Sequence, residues 1–310
     1  ESLLSGKGGI VSVIGEAGLG KSRLIAEIRD QVIRRGLTWL EGRTLSFSRT
    51  ISYWPFLEIV RNYAGISEKD TEADTWAKLE NRITALFPDQ VAEILPYLAS
   101  LITLEVRGEL EERVKYLDGE AMGHQIFLTT RRFFEKLAQT QPLVLVFEDL
   151  QWVDQSTLEL LEHLLPLVES TPLLICGVSR PERKSPAARL REIATKDYSG
   201  LYTEIPLLPL SQANIHHLVC NLVQIDDKSS QVIELILNKA EGNPFFLEEV
   251  IRSLIDMKAL VRYEGTGKWY AVSQMEQITL PDTIHGVIMA RVDRLADEVK
   301  EVLKAAAVIG

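Results

Sequence analysis

Residues 15–22 read Gly-Glu-Ala-Gly-Leu-Gly-Lys-Ser. Gly15, Gly18 and Gly20 have no Cβ, so the backbone between them can curl until its N–H groups point inward. Such a curl, with Glu16, Ala17 and Leu19 filling its other places, is a cradle for phosphate oxygens. Lys21 would reach the β- and γ-phosphates of a nucleotide, and the Ser22 hydroxyl would ligate Mg²⁺. Arg23 follows directly on the helix that the cradle opens. A glycine-rich turn with no ligand shows the same letters, so the flanking elements have to decide.

A second chemistry-bearing stretch is Leu-Val-Leu-Val-Phe-Glu-Asp, residues 143–149. An unbroken apolar run ends there in two carboxylates, Glu148 and Asp149. A carboxylate in that place holds Mg²⁺ directly or through water, and its neighbour polarises an attacking water. Two desolvated carboxylates side by side need a cation between them. Both are therefore candidate metal ligands, and the residues leave their division of labour open, with Asp149, second in the pair, the candidate catalytic group. Arg180, closing the apolar run 172–179, could approach a γ-phosphate and report its presence. Asp154 reads as a helix cap. The run Asn-Lys-Ala-Glu at 238–241 departs from the guanine-binding Asn-Lys-x-Asp at its last position, Glu241, and reads as a helix end. ATP is therefore expected rather than GTP.

These residues need elements to position them. Residues 9–15 (Gly-Ile-Val-Ser-Val-Ile-Gly) are short, apolar and β-branched, the pattern of a buried strand. An amphipathic helix should start near Lys21, with Leu24, Ile25, Ile28, Val32 and Ile33 on one face, and stop at Gly36. A strand precedes the cradle and a helix follows it, which favours the phosphate reading. Further strands are expected over 37–43, 142–149, 172–180 and 202–210. Residues 55–139 read as mostly helical, punctuated at Pro88, Pro96, Gly108 and Gly119. Ser156 and Glu159 suggest a capping box. Alternating strands and helices with continuous apolar strands imply a parallel sheet covered on both faces. Beyond Ser211 the pattern is helical to about Met257. A hairpin follows around Gly265 and Gly267, then helices over 283–295 and 297–309.

The chain has 310 residues, 46% of them hydrophobic, enough for about two packed domains. The net charge of −10 supplies no global basic field for nucleic acid or an anionic membrane surface. Only Cys176 and Cys220 are present, which argues against a disulfide framework and fits a reducing cytoplasm. No apolar run is long enough to span a bilayer. The chain starts almost on its first motif and stops inside a helical pattern, so both ends read as cut from a longer protein.

Seven stretches occur in order: GEAGLGKSRL from 15, YWPF from 53, VFEDLQWVDQSTLELL from 146, GVSRPE from 177, GNPFFLEEVIRSL from 242, LPDTIHGVIMARVDRL from 280 and AAAVIG from 305. Together they resemble the STAND class of signalling ATPases, relatives of the AAA+ proteins. They are most similar to the module found beside class III adenylyl cyclase domains and in large bacterial transcriptional regulators. The resemblance spans essentially the whole chain. It implies an α/β P-loop NTPase core over 1–210, with five parallel strands in order 5-1-4-3-2 and a helical insertion at about 53–140. It also implies an α-helical lid over 211–295 carrying a β-hairpin near 259–272, and the start of a winged-helix-like domain over 296–310. In that pattern Arg180 is the sensor arginine, on a strand between the phosphate-loop and acidic strands. Gly242, Asn243 and Pro244 match a Gly-x-Pro motif whose proline packs on the nucleotide base.

There are departures: Glu148 precedes Asp149 where AAA+ proteins usually show Asp then Glu, and Gln151 stands where histidine is common. The implied function is an ATP/ADP switch with Mg²⁺, slow hydrolysis, attached effector and sensor domains, and nucleotide-dependent self-association. A ring-forming motor, a nucleotide-binding scaffold without turnover and a small-molecule kinase are the alternatives. No arginine finger is identifiable for the motor, and a kinase has no need of the C-terminal segments.

Overall fold

The computed structural model describes residues 2–44, 51–223, 237, 239–262, 269–271, 283–293 and 295–309. They divide into two compact units. The first comprises Glu1–Gly15 and Ser22–Pro206, and the second Glu16–Lys21 and Leu207–Gly310.

The first unit is built on a five-stranded sheet. Its strands are β1 (Gly9–Ile14), β2 (Thr38–Arg43), β3 (Leu143–Glu148), β4 (Leu173–Ser179) and β5 (Tyr202–Pro206). Their spatial order is β2-β3-β4-β1-β5, and every pairing is parallel. This is the expected order 5-1-4-3-2, and the architecture is that of P-loop NTPases. Parallel neighbours need crossovers, and helices supply them. Helix α1 (Lys21–Arg34) follows β1, while α2 (Trp54–Ala64), α3 (Glu72–Leu86), α4 (Val91–Leu101) and α5 (Gly119–Thr140) form the long insertion between β2 and β3. Helices α6 (Gln155–Leu164) and α7 (Leu167–Ser170) join β3 to β4, and α8 (Pro186–Asp197) joins β4 to β5. All six residues of β3 are buried, as its unbroken apolar run demands. The core runs from Ile10 through Phe56, Phe133, Phe134 and Phe147 to Ala194.

Three local readings are corrected. Pro96 does not punctuate the insertion; it lies inside α4, where seven of eleven residues are buried. An interior proline costs a helix about 3 kcal/mol, and burial of that many apolar side chains outweighs it. The cap of α6 is Asp154, not Ser156: the helix starts at Gln155, and the Asp154 carboxylate accepts the Thr157 N–H at 2.9 Å. Glu159 instead accepts from Gln155 Nε2 at 2.6 Å. On α1 only Ile25 is fully buried, and Ile33 is 55% exposed, at the far end of the face.

The second unit has its own core, made by Ile215, Val219, Phe246, Leu247, Val250, Ile251 and Leu254 among others. These come from α9 (Gln212–Leu222) and α10 (Pro244–Asp256). Strands β6 (Leu260–Arg262) and β7 (Trp269–Ala271) pair antiparallel, as the hairpin reading requires, while its turn around Gly265 and Gly267 lies outside the described residues. Helices α11 (Ile284–Asp293) and α12 (Asp297–Ile309) follow. Asn238 also lies outside the described residues; Lys239 and Ala240 are helical and Glu241 turns out of the helix with φ 46°.

Candidate functional site

Ser22 is the second residue of α1, and Glu148 is the last of β3. The Ser22 hydroxyl donates to Glu148 Oε2 at 2.8 Å. Glu148 is only 6% exposed. Burial pushes its pKa up, and the neighbouring Glu41 carboxyl pushes it further, against the lowering effect of the Ser22 bond. Glu41 stands two residues before Arg43 on β2, and Arg43 lies opposite Glu148 in the register. The period-two alternation of strands therefore brings Glu41, Arg43 and Glu148 to one face. Trp39 Nε1 donates to Glu41 at 2.9 Å, and Arg29 of α1 lies 3.8 Å from the same oxygen. Burial, with the charges of Glu148 and Glu41, pushes the Cys176 thiol on neighbouring β4 up to about 12, so it stays protonated.

Asp149 leaves β3 in a left-handed conformation, φ 58°. That turn sends its side chain away from the strand's alternation. Arg43 Nε donates to Oδ2 at 3.2 Å, and Gln151 Nε2 donates to Oδ1 at 3.1 Å. Thr44 Oγ1 donates to the carbonyls of both Glu148 (2.8 Å) and Asp149 (2.7 Å), pinning the turn. Gln151, 1% exposed, also accepts the Arg180 N–H at 3.2 Å through Oε1. The position where the sequence departs from the histidine pattern is thus a bridge between the acidic turn and the end of β4. Strand β4 lies between β1 and β3, so Arg180 stands at the same sheet edge. Among the described residues its guanidinium makes no hydrogen bond or ion pair. Gly15 N–H donates to the Ser179 carbonyl at 3.2 Å, joining the start of the glycine-rich loop to that edge.

Within the loop, Gly18 and Gly20 have φ of +82° and +86°, values that residues carrying a Cβ rarely adopt. Lys21 Nζ donates to the Glu16 carbonyl at 2.9 Å. Arg23 is spent on its own helix: it pairs with Glu27 at 2.6 Å and is 81% exposed. Pro244 is the first residue of α10, capped by Asn243.

Ser22, Glu148, Asp149 and the end of β4 before Arg180 are thus gathered in the first unit. Glu41, Arg43 and Gln151 belong with them and were not singled out for chemistry by sequence. A glutamate between Leu40 and Gly42, the two buried residues of strand 38–43, was the available signal. A serine hydroxyl and a buried carboxylate within hydrogen-bond reach are both hard oxygen donors. They fit a magnesium ion whose other ligands are water and phosphate oxygens. That coordination needs no cluster of three His, Cys, Asp or Glu side chains, and none that could hold a metal occurs among the described residues.

Residues 1–176, more than half of the chain, match the family model described as an AAA ATPase domain. The chain belongs to that family. An uncharacterised protein of Rhizobium meliloti (strain 1021) is 24% identical to this AAA ATPase domain protein over 257 residues, 81% of this chain. The chain spans only 23% of that relative's length. The solved structure of VirB4 of Thermoanaerobacter pseudethanolicus matches with a TM-score of 0.26 and 12% identity, over 72% of this chain and 83% of that one. Similarity at that level says nothing about activity. No helix among the described residues is long and apolar enough to cross a membrane.

Proposed function

We propose that this AAA ATPase domain is an ATP-binding, slowly hydrolysing switch of the STAND class, working in the cytoplasm inside a larger signalling protein. The observation that carries the reading is the 2.8 Å bond between the Ser22 hydroxyl and the buried Glu148 carboxylate, at the start of the helix that follows the glycine-rich loop. Backbone N–H groups of residues 16–21 and the Lys21 ammonium would take the phosphates. Ser22 and Glu148 would hold magnesium, which when bound neutralises phosphate charge. The proximity of Ser22 gives Glu148 that role and leaves Asp149 to polarise the attacking water. Asp149 is held meanwhile by Arg43 and Gln151. Arg180 would sense the γ-phosphate, and Pro244 would pack on the base.

In this reading residues 1–210 are the catalytic core, 211–295 a lid and 296–310 the start of a winged-helix-like domain, with sensor and effector domains elsewhere in the full protein. ATP and ADP would favour different arrangements of those domains. Near-complete switching between them requires a differential affinity of roughly 10⁴. The partners are ATP, ADP and magnesium, with neither nucleic acid nor membrane bound by this chain directly.

The test is calorimetric titration of ATP and ADP with magnesium into the parent and Lys21→Ala, together with a phosphate-release assay. The parent should bind both nucleotides and turn ATP over slowly, and Lys21→Ala should lose tight binding while remaining folded. Unchanged affinity in Lys21→Ala would sink the loop assignment. Binding without any phosphate release would leave a scaffold in place of an ATPase.

A further inference from the structure

The turn between Ala240 and Pro244 is unusually constrained. Glu241 and Gly242 both have positive φ, 46° and 85°. A Cβ on Gly242 would lie 2.5 Å from Pro209 Cβ and 2.9 Å from the Leu210 carbonyl, and the Gly242 carbonyl accepts the Leu210 N–H at 2.8 Å. Asn243 N–H donates to Ala240 O at 2.7 Å. The side chain of Asn243 is thereby delivered in one orientation. Its Oδ1 accepts the N–H groups of Phe245 (3.1 Å) and Phe246 (3.2 Å), an ordinary cap for α10.

The other half of the amide is not used on the helix. Nδ2 donates to the carbonyl of Ala17 at 2.9 Å, inside the glycine-rich loop. The amide can stand only one way round, because a flip would set Nδ2 against two N–H donors and Oδ1 against a carbonyl. Phe245 N–H adds a weaker bond to the Gly18 carbonyl at 3.3 Å. The fit is close: a Cβ on Gly18 would fall 2.5 Å from Asn243 Oδ1 and 3.0 Å from Phe245 Cβ. On Gly20 a Cβ would meet nothing within 4 Å. The two glycines therefore serve different ends. Both supply a positive φ, but only Gly18 also clears room for Asn243.

We infer that Asn243 is a positioning residue of the phosphate loop, fixing the peptide between Ala17 and Gly18. No peptide bond among the described residues is cis, so the Ala17 carbonyl and the Gly18 N–H point in opposite directions within their shared plane. Holding the carbonyl against Asn243 turns the Gly18 N–H away from α10 and leaves it to serve as a preset donor. A donor oriented before binding loses no freedom when the anion arrives. The same amide caps α10, so a change in the loop peptide reaches that helix through the Asn243 side chain, with the Phe245 N–H as a weaker second link. This inference rests on the reading of residues 15–22 as the nucleotide-phosphate site.

Asn243→Ser separates the two duties. Serine is as good a helix cap as asparagine and carries no charge, but it has no amide to reach Ala17. The loss of one hydrogen bond of about 1 kcal/mol corresponds to about five-fold. In Asn243→Ser, peptides covering residues 15–20 should exchange amide hydrogens about five-fold faster in the nucleotide-free protein, with protection of α10 unchanged. ATP and ADP should both bind about five-fold more weakly, with Tm lowered by no more than the few degrees that one lost hydrogen bond accounts for. Asn243→Ala, which loses the cap as well, should show the same affinity loss with a lower Tm. Unaltered loop exchange in Asn243→Ser, or an affinity loss that appears only where protection of α10 is lost, overturns the inference. A parent protein that binds no nucleotide would defeat the proposed function instead, while the exchange rates of the loop would still decide the role of Asn243.

Discussion

Glu148→Gln should stabilise the nucleotide-free protein while weakening its use of magnesium. The parent buries a carboxylate, 6% exposed, whose pKa is raised by burial and by the Glu41 carboxyl. Two unit charges about 4 Å apart at an effective dielectric of 20 repel by roughly 4 kcal/mol. Arg29, 3.8 Å from Glu41, and Arg43, whose charge lowers the Glu148 pKa, oppose that repulsion; with half of it cancelled, roughly 2 kcal/mol remains. Glutamine removes the remaining roughly 2 kcal/mol of repulsion. It keeps an acceptor for Ser22 but loses the charge-assisted part of that bond, about 1 kcal/mol. The net gain is about 1 kcal/mol, or 2–4 °C in Tm for a unit of about 200 residues. The sign depends on pH. A carboxyl with a raised folded-state pKa contributes stability that is fully present below its unfolded value and lost as pH rises through the folded value. The advantage of the variant should therefore be full at pH 8 and absent near pH 4, below the ordinary 4.5. Scanning calorimetry of both proteins at the two pH values, without metal or nucleotide, reads it directly. A lower Tm for Glu148→Gln at pH 8, or an advantage independent of pH, would falsify the account of this carboxylate. With nucleotide present, the magnesium dependence of binding should be largely lost.

Asp149→Asn should stop phosphate release with nucleotide affinity within about two-fold of the parent, because a group that polarises water acts on the transition state alone; retained turnover would move the role elsewhere. Arg180→Ala should narrow the difference in affinity between ATP and ADP, since a γ-phosphate contact is absent from the ADP complex. Equal losses for both nucleotides would make Arg180 structural. Pro244→Ala distinguishes a helix start from a lid latch by the rate of ADP release in stopped-flow measurements. A helix-start role gives a small stability loss and a parent-like rate, and a base-packing role gives faster release.

Strands β1, β3 and β4 were legible because their apolar runs are short, β-branched and bounded by turn residues, and a parallel sheet buries such runs on both faces. The glycine-rich loop was legible because its conformation, with positive φ at Gly18 and Gly20, depends on backbone freedom, which glycine spacing displays openly. What sequence missed depended on partners far along the chain. Pro96 looked like a break because propensity is local, whereas the packing that keeps α4 whole is not. Asp154 and Ser156 were both credible caps for α6, and only the starting turn of the helix chose between them. Glu41 read as an ordinary strand residue until the register of β2 on β3 set it on the face that carries Glu148. Gln151 looked like a departure from a pattern, and its two amide ends became meaningful once β4 was seen to end beside β3.

By itself the sequence determined the order of elements and the parallel sheet, and it named the groups proposed to hold a nucleotide, because all three are read from side-chain periodicity and from residues adjacent in the chain. Tertiary structure alone decided which carboxylate meets Ser22, which cation holds Asp149 and which amide braces the loop. Those pairings join residues 126, 106 and 226 positions apart, and no local pattern records a contact that exists only after the sheet has chosen its neighbours and the turn before α10 has closed on the loop.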